Sequence, residues 1–470
     1  MERTRLMNTA GRMIGQQRLG MAAVFIATLL VLYHALTYAP NTILLDQWRF
    51  VYGTLAKYYS GTFSFLDLVT NETSHIRVGY RAVFLLNAIL FDLNVHVEIV
   101  LGLIALLLFT LLLFRRYLES MAGFNAALGQ QVLFLLIVMV IFSLNKNVFF
   151  IYSTAGLNTF LGWLLYLAFW TSMDSTLRRG EGRYWLLVQI VLLLLIVFGF
   201  SGDKSPAVLA SALAIVILDL CLRPAERRPR LIFLAKLIGL ALLFQAAYWV
   251  AIDLWAGKTF VKVGLPPFLT EPAGALKYVL YVLASGVVHR DFLLRPGDPL
   301  PLIAGAAVLA SYGLAALLYF RSRLWRTTYL PLTFMIYSLL FIAELLQARY
   351  GREFGGPLRA TYAAEPQLGM IGVLWIYAYV ILEHRRNAAA TARPLLLSLF
   401  LFLVLIPVEY INARHVLDGK AAYRMRSEKT IALVKRNPDA KFPIWYCRRG
   451  KDCNVALGIL KAHKLNMFDE

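Results

Sequence analysis

Residues 19–39, LGMAAVFIATLLVLYHALTYA, form an unbroken apolar run that gives way to Leu44-Leu45-Asp46-Gln47-Trp48-Arg49-Phe50. As a helix, a run of that length crosses a hydrocarbon core of ~30 Å, which places Asp46 at the far lip of a bilayer. A carboxylate there is costly unless it is paired or used. Arg3, Arg5, Arg12 and Arg18 precede the run; basic flanks stay on the cytoplasmic side. The run has no small-residue cleavage pattern, so it reads as a retained anchor rather than a signal peptide.

The whole chain repeats this character. Of its 470 residues, 59% are hydrophobic and only 16% are charged, whereas a soluble domain carries about a quarter charged residues. Further apolar runs lie near 95–114, 130–145, 154–173, 184–200, 205–222, 231–254, 299–320, 327–346, 367–383 and 394–411. The expected fold is therefore all-α, a polytopic transmembrane helix bundle of about 11 spans. The net charge of +20 resides largely in short clusters between runs: Arg115-Arg116, Arg178-Arg179 with Arg183, Arg223 with Arg227, Arg228 and Arg230, Arg321 with Arg323 and Arg326, and Arg385-Arg386 with Arg393. With the N-terminus inside, every cluster falls on the cytoplasmic side, and the loops bearing Asp46, Lys146, Asp203, Lys258 and Arg352 fall outside. Such clusters are topology signals and not a nucleic-acid footprint. A phosphate loop of the G-x-x-x-x-G-K-[ST] type is absent, which argues against an ATP-driven pump.

Two shorter apolar stretches, 78–91 and 273–288, would invert the downstream topology if they crossed. They read as amphipathic helices at the external surface, the first with Val83, Phe84, Leu86 and Leu90 on its apolar side. Residues 1–413 are expected to form the membrane domain and 414–470 a small external domain. There Cys447 and Cys453, separated by a short polar loop, are placed to close a disulfide outside the cytoplasm. The seven histidines show no HExxH or similar spacing, so the sequence offers no metal-ligand set. His96 and Glu98, at the start of the second span, read as interface residues.

The loop after the first span gathers Asp46, Arg49, Lys57, Asp67, Glu72, His75, Arg77 and Arg81, then leads through a surface helix and Phe91-Asp92-Leu93-Asn94 into the second span. This arrangement resembles the GT-C superfamily of membrane glycosyltransferases, in particular the bacterial enzymes that use polyprenyl-phosphate sugars. Phe198-Gly199-Phe200-Ser201-Gly202-Asp203-Lys204-Ser205-Pro206, Leu358-Arg359-Ala360-Thr361-Tyr362 and the tail from Leu460 to Phe468 extend the likeness. At the start of this loop Asp46 stands alone, where many members carry a closely spaced acidic pair.

The resemblance implies an inverting sugar transfer on the periplasmic face of the bacterial inner membrane, with the C-terminus periplasmic. The donor would be a polyprenyl-phosphate-linked sugar and the acceptor a cell-envelope glycan, glycolipid or protein. Such a reaction needs a base for the acceptor hydroxyl and cations for the leaving phosphate. Asp46 is the expected base. Arg359, Lys204 and Arg352 are the expected phosphate ligands, and Glu72, His75 and Tyr362 the expected donor or acceptor contacts. No cofactor is required by the sequence, although a divalent cation, Mg or Mn, is compatible with the family. Two alternatives stay open: an O-antigen polymerase or ligase, and a lipid-linked sugar flippase or transporter. The last would place ionisable groups in mid-span, where the sequence shows little beyond Lys236 and Glu344.

Overall fold

The computed structural model describes residues 18–69, 76–124, 126–182, 184–224, 227–256, 266–293, 298–350, 362–387, 393–436 and 450–468. Among them the regular structure is helical. The longer helices are α1 (Arg18–Tyr38), α2 (Val78–Leu90), α3 (Val95–Ser120), α4 (Ala127–Ile141), α5 (Ser153–Arg179), α6 (Trp185–Leu194) and α7 (Ser205–Leu222). They continue with α8 (Arg227–Ala256), α9 (Pro272–Ser285), α10 (Leu300–Arg321), α11 (Leu330–Arg349), α12 (Ala364–Asn387), α13 (Arg393–Arg436) and α14 (Gly450–Ala462).

Among the described residues, eight helical segments are long and apolar enough to cross a membrane: those of α1, α3, α4, α7, α8, α10, α11 and α12. Their surfaces invert the pattern of a soluble protein. Phe25, Ile26, Leu29, Leu30 and Tyr33 stand exposed along α1, and Leu242, Leu243, Val250 and Leu254 along α8. Contiguous exposed apolar stripes of this kind need an apolar solvent. The chain is a multi-pass membrane protein.

Three expected spans are not among the eight. The α5 helix is long enough, but its sequence interleaves Ser153, Thr154, Asn158, Thr159, Thr171, Asp174 and Thr176 with apolar residues, and all of these are buried. A helix enclosed by protein can hydrogen-bond such groups internally and needs less hydropathy than one facing lipid. The α6 helix is short and passes into a π-helical turn, Leu195–Phe200. The third, 394–411, is the first half of α13, which runs unbroken through position 413 to Arg436. The domain boundary expected after 413 thus falls inside a helix.

The chain divides into two compact units, one comprising Met1–Val31, Leu107–Lys146 and Leu265–Val416, the other Leu32–Leu106, Asn147–Gly264 and Leu417–Glu470. In the first unit α12 is the axis. It packs on α11, α4 and α10, and nearly all of its apolar window is buried. Gly372 lets it approach the Pro331 carbonyl, where a Cβ would collide with backbone. Lys146, expected in an external loop, is fully buried in this unit and donates to the Val140 carbonyl at 2.8 Å and to Gln367 Oε1 at 2.6 Å. It is a structural lysine.

In the second unit α2 is short, as its sequence predicts, but its faces are sorted differently. Tyr80, Arg81, Phe84, Leu85, Asn87 and Ala88 turn inward, while Leu86, Ile89 and Leu90 are exposed. Polar groups go to the protein side because hydrogen bonds await them there; Leu86, Ile89 and Leu90 are left for lipid. The C-terminal helix α14 packs on the turns Gln47–Phe50 and Val51–Leu55. Asn466 then fixes the tail: its Oδ1 accepts from Ile43 N at 3.3 Å, its Nδ2 donates to Leu93 O at 2.8 Å, and its own N–H donates to Asp92 O at 2.7 Å. His463 stacks on Tyr59 with ring centroids 3.7 Å apart. Cys453 is buried and disulfide-bonded, and Cys221 is free; Cys447 lies outside the described residues.

Candidate functional site

The segment that follows α1 is built around Gln47, which is fully buried. Its Oε1 accepts from Leu44 N at 3.0 Å, and its Nε2 donates to Ser153 Oγ at 2.8 Å and to Glu98 Oε2 at 3.2 Å. Between these anchors Leu45 sits at φ 49, a left-handed conformation that a branched side chain rarely adopts. The result is that Gln47 points into the protein and Asp46 points out. Asp46 opens the short helix Gln47–Phe50, and its carboxylate is 42% exposed, with Arg49 at 3.9 Å. Its backbone N–H donates to the Tyr152 hydroxyl at 3.3 Å.

Tyr152 links this rim to a second pair of charges. Burial pushes its hydroxyl above the ordinary tyrosine range, the Asp46 charge adds to the rise, and Arg77 offsets part of it. The same phenol therefore feels both Asp46 and Arg77. Arg77 in turn lies 3.7 Å from Asp203, both side chains being about a quarter exposed or less. Asp203 and Lys204 belong to the tight turn Gly202–Lys204. That turn is pinned from both sides: Ser205 Oγ donates to Gly202 O at 2.7 Å, and Gln245 Nε2 of α8 donates to Ser205 Oγ at 2.6 Å. Gly79 makes the approach possible, because a Cβ there would meet the Phe200 ring at 2.6 Å and the Gly199 carbonyl at 3.0 Å. Asp46, Arg49, Arg77, Tyr152, Asp203 and Lys204 thus lie within one unit, though they come from four stretches of sequence.

A second acid of the loop, Asp67, has a different job. Asp67 closes a capping box with Ser64, accepting from its N–H at 2.7 Å and its hydroxyl at 3.1 Å, and takes the Lys57 ammonium at 2.5 Å. Burial raises its carboxyl, but the bonds from Lys57 and Ser64 outweigh this and leave it below the usual aspartate range. Arg81 Nη1 donates to the Asp67 carbonyl at 2.9 Å. These groups hold the loop in shape.

Comparison of the chain with protein-family models, curated proteins and solved structures returns no match. The site is therefore read from its own geometry.

Glu98 departs from its sequence reading. It is a fully buried carboxylate that accepts from Ser153 Oγ at 2.7 Å, Tyr80 OH at 3.1 Å, Asn87 Nδ2 at 3.1 Å and Gln47 Nε2 at 3.2 Å. Its sequence signal was an acid in the first turn of a span with Asn87 and Tyr80 upstream, a pattern that only the fold completes. His96 does behave as a local tie, its Nε2 lying 3.0 Å from the Ala39 carbonyl oxygen. Buried acids also occur at Asp219, which faces Arg223 and Arg230, and at Glu365, which accepts from Tyr337 OH at 2.9 Å. Each lies in the first or last turn of its helix, so the span ends are more charged inside than the sequence indicates.

Of the other sequence-derived candidates, Glu72, His75, Arg352 and Arg359 lie outside the described residues. Tyr362 is half-buried and belongs to the first unit, where its charge, after burial, helps to raise the hydroxyl of Tyr278. Among the described residues, one group of three His, Cys, Asp or Glu side chains has ligand atoms within 4.8 Å of one another. It comprises His289, Asp291 and His415, also in the first unit.

Chemically, the Asp46 rim combines a half-exposed carboxylate with a phenol and two arginines, Arg49 and Arg77, neither of them among the sequence-derived phosphate ligands; Lys204 is the neighbour of Asp203 in the adjoining turn. Such a set can accept a proton from a hydroxyl and neutralise an adjacent anion.

Proposed function

We propose that the chain is a GT-C-type membrane glycosyltransferase that moves a sugar from a polyprenyl phosphate to a cell-envelope glycan, glycolipid or protein on the periplasmic face of the inner membrane. The observation that carries this reading is the chain of contacts from Arg49 through Asp46 and Tyr152 to Arg77, which pairs with Asp203 beside Lys204, with the Asp46 carboxylate half-exposed. The Asp46 carboxylate takes the proton of the acceptor hydroxyl as that oxygen attacks the anomeric carbon. The bond from that carbon to the donor phosphate breaks, and the phosphate leaves with the electron pair. Lys204 and Arg77 hold it at headgroup level. The tail bound over the Asp46 loop supports the reading by fixing the rim before substrate arrives, which reduces reorganisation in the transition state.

The test is mass spectrometry of lipids and envelope glycans from cells carrying Asp46→Asn at wild-type protein level. Loss of base catalysis lowers turnover by ~100-fold or more, so a sugar modification present in the wild type should disappear. Unchanged glycosylation would remove Asp46 from the mechanism. Lys204→Ala provides a graded companion, expected to raise the donor KM more than it lowers kcat.

A further inference from the structure

The group at His289, Asp291 and His415 is independent of the Asp46 rim. His289 and Asp291 flank Arg290 in the turn after α9, and His415 lies on α13, 124 residues from Asp291. His415 Nε2 is 2.9 Å from Asp291 Oδ2, and His289 Nδ1 is 3.7 Å from the same oxygen. The two imidazole rings are 4.9 Å apart between centroids.

The placement is scaffolded. Asn412, one turn before His415, accepts from the His289 N–H at 2.9 Å and donates to the Val287 carbonyl at 2.7 Å. One side chain therefore grips the turn on both sides of Val288 and brings it against the helical face that carries His415. Phe292 packs against the His415 ring at 4.8 Å. Imidazole orientation fixed by neighbouring bonds and ring packing is what a metal site requires of its surroundings.

We propose that His289, Asp291 and His415 bind one divalent transition-metal ion of the zinc class. Tetrahedral coordination with bonds of about 2.0–2.1 Å separates donor atoms by about 3.3 Å. The two nitrogen–oxygen separations, 2.9 and 3.7 Å, bracket that value, and all three ligand atoms lie within 4.8 Å of one another. Two nitrogens and one carboxylate oxygen are a poor match for Mg or Ca, which favour all-oxygen shells, and a good one for Zn, Co or Ni. Arg290, between the two ligands of the turn, opposes loose electrostatic capture of a cation and leaves directional coordination as the source of affinity. On binding, His415 exchanges its hydrogen bond to Asp291 for a nitrogen–metal bond, and the proton on that nitrogen passes to the other ring nitrogen or to solvent. The fourth position is left to water. The ion would clamp the turn 286–291 to α13 within the first unit.

The experiment uses the full-length protein in detergent, stripped with a chelator and then titrated with ZnCl2 by calorimetry and with CoCl2 by visible absorption. The expected result is one ion per chain, with cobalt bands of tetrahedral type. His289→Ala/His415→Ala should abolish both signals, whereas His384→Ala should leave them intact. Should the double variant fail to fold, His415→Gln alone is expected to weaken zinc binding at least ~10-fold and to alter the cobalt spectrum. Uptake well below one ion per wild-type chain, or full uptake by the histidine variants, overturns the proposal. Asp46→Asn should bind the metal normally, so failure of the transferase reading and failure of this one are separable.

Discussion

Asp46 and Gln47 are neighbours in sequence and belong to two opposite environments. Gln47 enters a dry node where Glu98 accepts four hydrogen bonds, and Asp46 stands on a half-exposed rim with a cation at 3.9 Å. In the node a buried carboxyl group is met by four fixed donors, so it serves architecture. On the rim the charge is partly open to a substrate, so it serves chemistry. A one-residue step at the start of the short helix Gln47–Phe50 separates the two roles, and Leu45, held in a left-handed conformation, sets that step.

The sharpest way to break this contrast is to exchange the burdens. Glu98→Ala leaves four donors without their acceptor and should lower stability by roughly 3 kcal/mol or more, read as a fall in the thermal midpoint in detergent. Glu98→Gln, which keeps the shape and one acceptor oxygen, should lose less. Asp46→Asn is expected to leave that midpoint nearly unchanged, within the ~0.5 kcal/mol typical of exposed positions, while removing activity. If Glu98→Ala melts like the wild type, the node is not what holds the rim.

A smaller effect is expected at the seam between α2 and the turn at 195–200. Gly79→Ala forces a methyl against Phe200 and the Gly199 carbonyl, a case of overpacking worth ~1–3 kcal/mol. Because this seam brings Arg77 to Asp203, the variant should lose both stability and donor affinity. A variant that loses stability with donor KM unaltered would show that the Arg77–Asp203 pair is incidental to the site.

The smallest effect tests the loop. Asp67 is held below the ordinary aspartate value of 3.8 in the folded protein. Its contribution to stability is thus present above pH about 4 and lost as pH falls through the folded value. Lys57→Met should flatten that acid limb of the stability curve by an amount within the ~0–1 kcal/mol of a solvent-screened pair. Stability profiles that superimpose between pH 3 and 7 would show that the Ser64 cap alone sets the loop.

Much of the membrane architecture is legible in the sequence because lipid imposes a one-dimensional rule: long apolar runs cross and Arg clusters mark their ends. The rule weakens where a helix is enclosed by protein. The polar positions of α5 depress its hydropathy, yet the fold buries them and gives Ser153, Asn158, Asp174 and Thr176 hydrogen bonds. The α2 helix shows the same limit from the other side, since its exposed leucines and buried Arg81 follow from which face meets protein. In the candidate site, Asp46 and Lys204 can be singled out by their position at span ends. Arg77 and Tyr152 cannot, because their relevance depends on a glycine-mediated contact and on a single phenol placed between two charges. His289, Asp291 and His415 are invisible for a related reason: ligand spacing is recognisable only when one helix or loop supplies the ligands.

Sequence by itself determined that this is an all-helical chain made for a bilayer, with an acid where the first span emerges, since those properties depend on local composition and run length. Tertiary structure alone decided which carboxylate is sealed and which is open, which arginine approaches Asp203, and which histidines face one another. Those outcomes rest on contacts between residues tens to hundreds of positions apart, and the free energy of burying or pairing a charge exists only once the partners have been brought together.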